Sequence, residues 1–224
     1  MSAIRLGTRA STLATTQSEM VARLLRSEGL DVDLTTITTH GDTSTASLAA
    51  MGGIGVFASA IRATLLKGEA DIAVHSFKDL PTGRPLGLAI GAVPARADPR
   101  DALVARDGLT LHDLPQEASV GPGSPRRAAQ LLAVRPDLTI VDIRGNVDTR
   151  LGRVKGLGHY AKGGGKEDLD AVVLAASGLA RLGHSGTVTE FLDPSVVLPA
   201  PALSLIHISE PTRLSLVSRM PSSA

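Results

Sequence analysis

The residues best suited to chemistry are cations that recur just after short apolar runs. Thr8-Arg9-Ala10-Ser11 follows Ile4 to Leu6, and His75-Ser76-Phe77-Lys78-Asp79 follows Asp71 to Val74. Gly121-Pro122-Gly123-Ser124-Pro125-Arg126-Arg127 follows Ser119-Val120, and Arg144-Gly145-Asn146 with Arg150 follows Ile143. In open parallel sheets ligands bind beyond the carboxyl ends of strands, so this placement points to a site for anions. Arginine's planar fork suits carboxylates in particular. Ser124-Pro125 reads as a helix start, which puts Arg126 and Arg127 in the first turn. There they oppose the helix dipole unless an anion is bound. Asp79 can stabilise a cation or exchange a proton, or it can simply close an Asp-Leu-Pro turn.

The elements that position these residues follow from hydrophobic patterning. Strands are expected at Ile4 to Leu6, Val32 to Thr38, Asp71 to His75, Ser119-Val120, Thr139 to Ile143 and Ala171 to Ala175. Helices are expected through Leu13, Met20, Val21, Leu24 and Leu25, through Phe57, Ile61 and Leu65, from Ser124 to Val134, and from Ser177 to Leu182. This alternation implies an α/β fold in two domains, 1–95 and 96–195, joined near the Pro- and charge-rich stretch at 95–100. The Gly- and Lys-rich stretch 152–167 reads as an exposed loop, because it lacks phosphate-loop spacing.

Composition narrows the possibilities. The 224 residues carry 23 Lys and Arg against 22 Asp and Glu, a net charge of +1, so nothing in the whole-molecule field favours nucleic acid or an anionic membrane. Eighteen of the cations are Arg, a bias that a GC-rich genome can also produce. There is no cysteine, which removes disulfides, zinc–thiolate sites and thioether attachment. The six histidines show no ligand spacing, and no metal is assigned. Met1 to Thr8 has no apolar signal core and no run approaches the roughly 20 apolar residues of a membrane span, so a cytoplasmic protein is expected.

Asp71-Ile-Ala-Val-His-Ser-Phe-Lys-Asp-Leu-Pro81 closely resembles porphobilinogen deaminases, also called hydroxymethylbilane synthases. The likeness runs from about Ile4 to Ala202. It is carried also by Thr8-Arg-Ala-Ser11, Gly41-Asp42, Asp98-Pro-Arg-Asp-Ala102, Ser124-Pro-Arg-Arg127, Ile143-Arg-Gly-Asn-Val-Asp-Thr-Arg150 and Leu174-Ala-Ala-Ser-Gly-Leu-Ala-Arg-Leu-Gly183. The resemblance implies two domains of the type II periplasmic-binding-protein fold with a cleft between them, followed in the family by a third, α+β domain. It implies condensation of four porphobilinogen units, with loss of ammonia at each step, into the linear tetrapyrrole hydroxymethylbilane. A monomer acting on porphobilinogen and the growing polypyrrole is expected, with no nucleic-acid or membrane partner.

By the same resemblance Asp79 is the catalytic carboxylate facing an azafulvene-like cation. Lys78, Ser76, Ser124, Arg126, Arg127, Arg144 and Gly145 would contact the dipyrromethane cofactor. Arg9, Ser11, Arg150 and Arg181 would contact substrate, and Phe57 would lie in a loop over the site. Pro122 stands where the family usually has Thr, His40 where many members have Arg, and Ile54 and Ser59 where Lys is frequent.

The chain as given is expected to lack the family's third domain and its cofactor cysteine. After Leu198-Pro-Ala-Pro-Ala202 a Gln-Gly-Ala-type segment is expected; the chain reads Leu203-Ser-Leu-Ile-His-Ile-Ser-Glu-Pro-Thr-Arg213 instead, which resembles a translated transposase-type sequencing adapter. Residues 203–224 are thus expected to be an artefactual tail on a truncated gene, with 196–202 returning to the first domain. The chain as it stands is expected to be inactive. The competing reading is a non-catalytic anion-binding module, since the same architecture serves receptors and regulators.

Overall fold

A computed structural model describes residues 2–37, 59–79 and 86–211. Phe57, His40, Ile54 and the Gly41-Asp42 pair lie outside them. The chain divides into two units, Met1–Arg96 with Leu205–Ala224, and Ala97–Ser204.

The first unit is built on a five-stranded sheet. β1 (Ile4–Arg9), β2 (Val32–Ile37) and β3 (Ile72–Ser76) run parallel, β4 is Leu88–Ala92, and β10 (Ile206–Pro211) lies antiparallel to both β3 and β4. Its order is β2-β1-β3-β10-β4. Helix α1 (Thr12–Ser27) starts at Ser11, whose Oγ accepts from the Ala14 N–H. Helix α2 (Ser59–Leu66) buries Ile61 and Leu65, as their spacing predicts.

α1 keeps part of the expected face, with Val21 buried and Leu25 packed against the same core. Gln17, Ser18, Val21 and Ala22 are buried, whereas Met20 and Leu24 are exposed. Positions 18 and 22 lie about 140° and 180° from the Met20–Leu24 line, on the opposite side of the helix. Their small side chains let the helix approach the sheet, and close packing outweighs the burial of two long side chains.

The returning strand is the larger difference. Residues 196–202 stay with the second unit, and β10 comes from the run read as a tail. Strand pairing depends on backbone groups, which any non-proline residue supplies, so this segment fills the slot between β3 and β4. Ile206 joins the core, and His207 is fully buried against His75 with the rings stacked at 5.0 Å.

The second unit's sheet has the order β7-β6-β8-β5-β9. It comprises β5 (Asp101–Ala105), β6 (Ser119–Gly121), β7 (Thr139–Ile140), β8 (Ala171–Ala175) and β9 (Glu190–Phe191). β6 is parallel to β7 and β8, and β5 is antiparallel to β8 and β9. Alternate residues of β5 and β8 feed opposite cores: Leu103, Ala171 and Val173 on one face, Ala102, Val104, Val172 and Leu174 on the other. A strand covered on both faces needs an unbroken apolar run, and these two strands have one.

Helix α3 (Pro125–Val134) follows β6, α4 (Val147–Leu151) follows β7, and α5 (Ala176–Arg181) follows β8 directly. The stretch 152–167 holds a single 3-10 turn, Gly158–Tyr160, among turns and loops.

Candidate functional site

In the second unit the sheet end at which β6, β7 and β8 terminate carries most of the expected residues. Ser124 caps α3, its Oγ accepting from the Arg127 N–H at 3.3 Å, with Pro125 at the first helical position. Asn146 caps α4, its Oδ1 accepting from the Thr149 N–H at 2.8 Å. Arg150, on α4, donates from Nε to the Gly145 carbonyl at 2.9 Å. Gly145 adopts φ +99, a conformation that β-carbon sterics deny most residues. Burial lowers the Arg150 pKa, and the charges of Arg127 and Arg144 lower it further, so three guanidiniums share one neighbourhood. Among the described residues neither Arg144 nor Arg150 forms an ion pair.

Arg126 and Arg127, expected to contact the cofactor, each donate one nitrogen, Nη2, to an oxygen of Asp101 at 2.6 Å. The Asp101 side chain is fully buried. Arg127 is also buried; its Nη1 donates to the carbonyls of Pro122 at 3.2 Å and Val173 at 3.0 Å. Arg126 donates from Nη1 to the Leu198 carbonyl, which Gln130 Nε2 also reaches at 3.2 Å. A carboxylate from within the chain thus holds one nitrogen of each of these two guanidiniums.

Asp101 carries no local signal of this pairing, because it is the first residue of β5. β5 is antiparallel to β8, so Asp101 pairs opposite Ala175, the last residue of β8, and stands at the same sheet edge as the helix starts. Its one sequence signal was membership in the Asp98-Pro-Arg-Asp-Ala102 motif.

Arg181 ends α5 and donates from Nη2 to the Ser204 carbonyl at 3.2 Å. Burial lowers its pKa, and its Nε has no hydrogen-bond partner. No interaction with Arg127, Arg144 or Arg150 contributes to that shift.

In the first unit, Arg9 ends β1 and Ser11 caps α1 as an acceptor, which leaves its O–H as a donor. Ser76 Oγ and the Gln17 side-chain amide lie 3.2 Å apart, which ties β3 to α1. Phe77, Lys78 and Asp79 form a 3-10 turn directly after β3, with Lys78 exposed. Beside them burial pushes His75 down to a pKa of about 3 and His207 to about 4. Both rings are thus held neutral, each with Nε2 unpartnered. Among the described residues no group of three or more His, Asp or Glu could hold a metal ion, and no helix is long and apolar enough to cross a membrane.

A family profile described as porphobilinogen deaminase, dipyromethane cofactor binding domain, matches residues 4–212. A porphobilinogen deaminase of Cutibacterium acnes is 96% identical over 208 residues, covering 93% of this chain and 62% of that protein. One of Micrococcus luteus is 59% identical over 208 residues, covering 90% of this chain and 55% of that protein. The chain thus spans about three fifths of the length of these curated relatives. A periplasmic substrate-binding protein of an ABC transporter from Coxiella burnetii shares the fold at a TM-score of 0.53 and 16% identity, over 93% of this chain and 84% of that one.

Proposed function

Because the chain belongs to the porphobilinogen deaminase family, we propose that it is the cofactor-binding part of a transferase. That enzyme joins four porphobilinogen units, with release of ammonia at each addition, into hydroxymethylbilane for porphyrin biosynthesis. The observation that carries the proposal is the family match over 4–212, reinforced by arginines gathered at one sheet edge of the second unit. Each pyrrole bears acetate and propionate arms, so a growing chain accumulates negative charge that guanidinium forks neutralise and hold in register. The shared periplasmic-receptor fold does not argue for a receptor, since fold alone does not specify function.

The residues of this chain fit a dipyrromethane in charge. Arg144 and Arg150, with no ion-pair partner among the described residues, are suited to its acidic arms. When bound, the dipyrromethane supplies the covalent primer onto which pyrrole units are added. The thiolate that would anchor it does not occur in this sequence. Arg9, Ser11 and Arg181 are assigned to substrate carboxylates, Lys78 and Ser76 to the cofactor. Asp79 is assigned to the cation left when ammonia departs, where a fixed negative charge lowers the barrier. The protein acts in the cytoplasm as a monomer.

Titration of the 224-residue chain with porphobilinogen, followed by calorimetry and intact mass, tests this reading. Expected are reversible binding, no covalent adduct and no consumption of substrate. In Arg144→Leu, binding weakens by about 1.5–3 kcal/mol, the value of a hydrogen bond to a charged group, with little change in stability because Arg144 is exposed. Absence of binding, or equal binding by the variant, refutes it.

A further inference from the structure

We propose that Asp101 is a positioning residue for this site: its buried carboxylate fixes Arg126 and Arg127 at the start of α3 so that the neighbouring arginines present a defined face to an anionic pyrrole. The inference rests on the functional reading above and assigns to Asp101 a role of its own.

Four observations support it. Asp101 is fully buried, and each of its oxygens accepts one guanidinium at 2.6 Å, so neither oxygen faces solvent or ligand. Arg127 is locked by three further constraints: two carbonyl contacts and a backbone N–H held by Ser124 Oγ. Arg126 links the same carboxylate to Leu198, and Leu198 is returned to α3 by its own N–H, which donates to Gln130 Oε1 at 2.7 Å. Arg127 is also close enough to Arg150 for their charges to interact. Two cations in a helix's first turn are opposed by its dipole. A dry carboxylate between them relieves that opposition and removes the freedom of two long side chains. What remains for the ligand is an edge on which, among the described residues, Arg144 and Arg150 have no ion-pair partner.

The proposal separates from simple electrostatics by sign. Removing a carboxylate near an anion site strengthens anion binding if charge alone matters. Removing a positioning carboxylate weakens it. In Asp101→Asn the affinity of the 224-residue chain for porphobilinogen is expected to fall about tenfold, equivalent to 1.4 kcal/mol. In nitrogen-15 spectra, rotation of the Arg126 guanidinium is expected to become faster, while Arg127, still held by the Pro122 and Val173 carbonyls, stays restricted. Tighter or unchanged binding, or an unchanged Arg126 signal, overturns the proposal.

Should Asp101→Asn fail to fold, Arg126→Lys serves in its place. It keeps the charge, but one ammonium cannot reproduce the fork that spans Asp101 and Leu198. The same weakening is expected, with the amide spectrum otherwise retained, and unchanged affinity counts against the assignment. If the unmodified chain binds no porphobilinogen, the functional reading fails for this chain, while the Arg126 signal still decides whether Asp101 positions that arginine.

Discussion

Gly123 is where backbone geometry and the cationic site meet, and replacing it with Ala separates two costs. Its φ of +66 lies in the left-handed region, where an L side chain costs roughly 1–2 kcal/mol. An added β-carbon would also stand 2.7 Å from Arg150 Nη1 and 3.5 Å from Arg150 Cζ. The guanidinium must move, although its Nε is bonded to the Gly145 carbonyl and it lies among like charges. Loss of that bond to a charged donor adds about 1.5–3 kcal/mol if Arg150 is displaced entirely. Gly163 supplies the comparison: its φ is +86 and a β-carbon there meets nothing within 4 Å. Gly163→Ala is therefore expected to cost only the backbone term and to leave porphobilinogen affinity alone. Gly123→Ala should cost more in urea unfolding and bind porphobilinogen more weakly. Equal unfolding free energies and equal affinities for the two variants would refute the view that Gly123 makes room for Arg150.

Two other outcomes are expected. In a version extended by a cysteine-bearing third domain, Asp79→Asn should remove most turnover, on the order of 3 kcal/mol of transition-state stabilisation, with an unchanged circular dichroism spectrum. Near-normal turnover would leave Asp79 a turn residue. His75 and His207 have folded pKa values of about 3 and about 4, below the ordinary 6.5, so the unfolded chain takes up protons first as pH falls. Stability should be level above about pH 6.5 and decline from there toward pH 4, by up to about 3 kcal/mol for His207 alone. His207→Leu should flatten part of that decline and raise stability near neutrality, because a buried ring nitrogen without a partner is removed. A pH profile identical in the variant would contradict this account of the pair.

Much of the fold was legible from local pattern. β8 occupies the expected Ala171 to Ala175, α3 begins behind the Ser124 cap, and Ile61 and Leu65 are buried where a four-residue repeat puts them. Such features follow from side-chain period and capping chemistry, which act between residues close in sequence. The stripe on α1 held for Val21 and Leu25 but not for Met20 and Leu24, because periodicity gives a face but not how closely the helix packs. Small Ser18 and Ala22 set that distance.

The candidate site divides along the same line. Residue types and their positions after apolar runs were enough to mark Arg126, Arg127, Arg144 and Arg150 as anion-seeking groups and to exclude thiolate chemistry outright. The sequence could not reveal that one carboxylate claims two of those four arginines. Asp101 is 25 residues from Arg126 and 26 from Arg127 in the chain, and it reaches them because β5 runs against β8. Strand direction is a property of the assembled sheet. Likewise, whether 196–202 or Ile206–Pro211 returned to the first sheet depended on which segment could reach the slot between β3 and β4 and pair there. Hydrogen-bonding backbone is common to every non-proline residue, so local sequence states that a strand can form, and tertiary contacts decide where it is used.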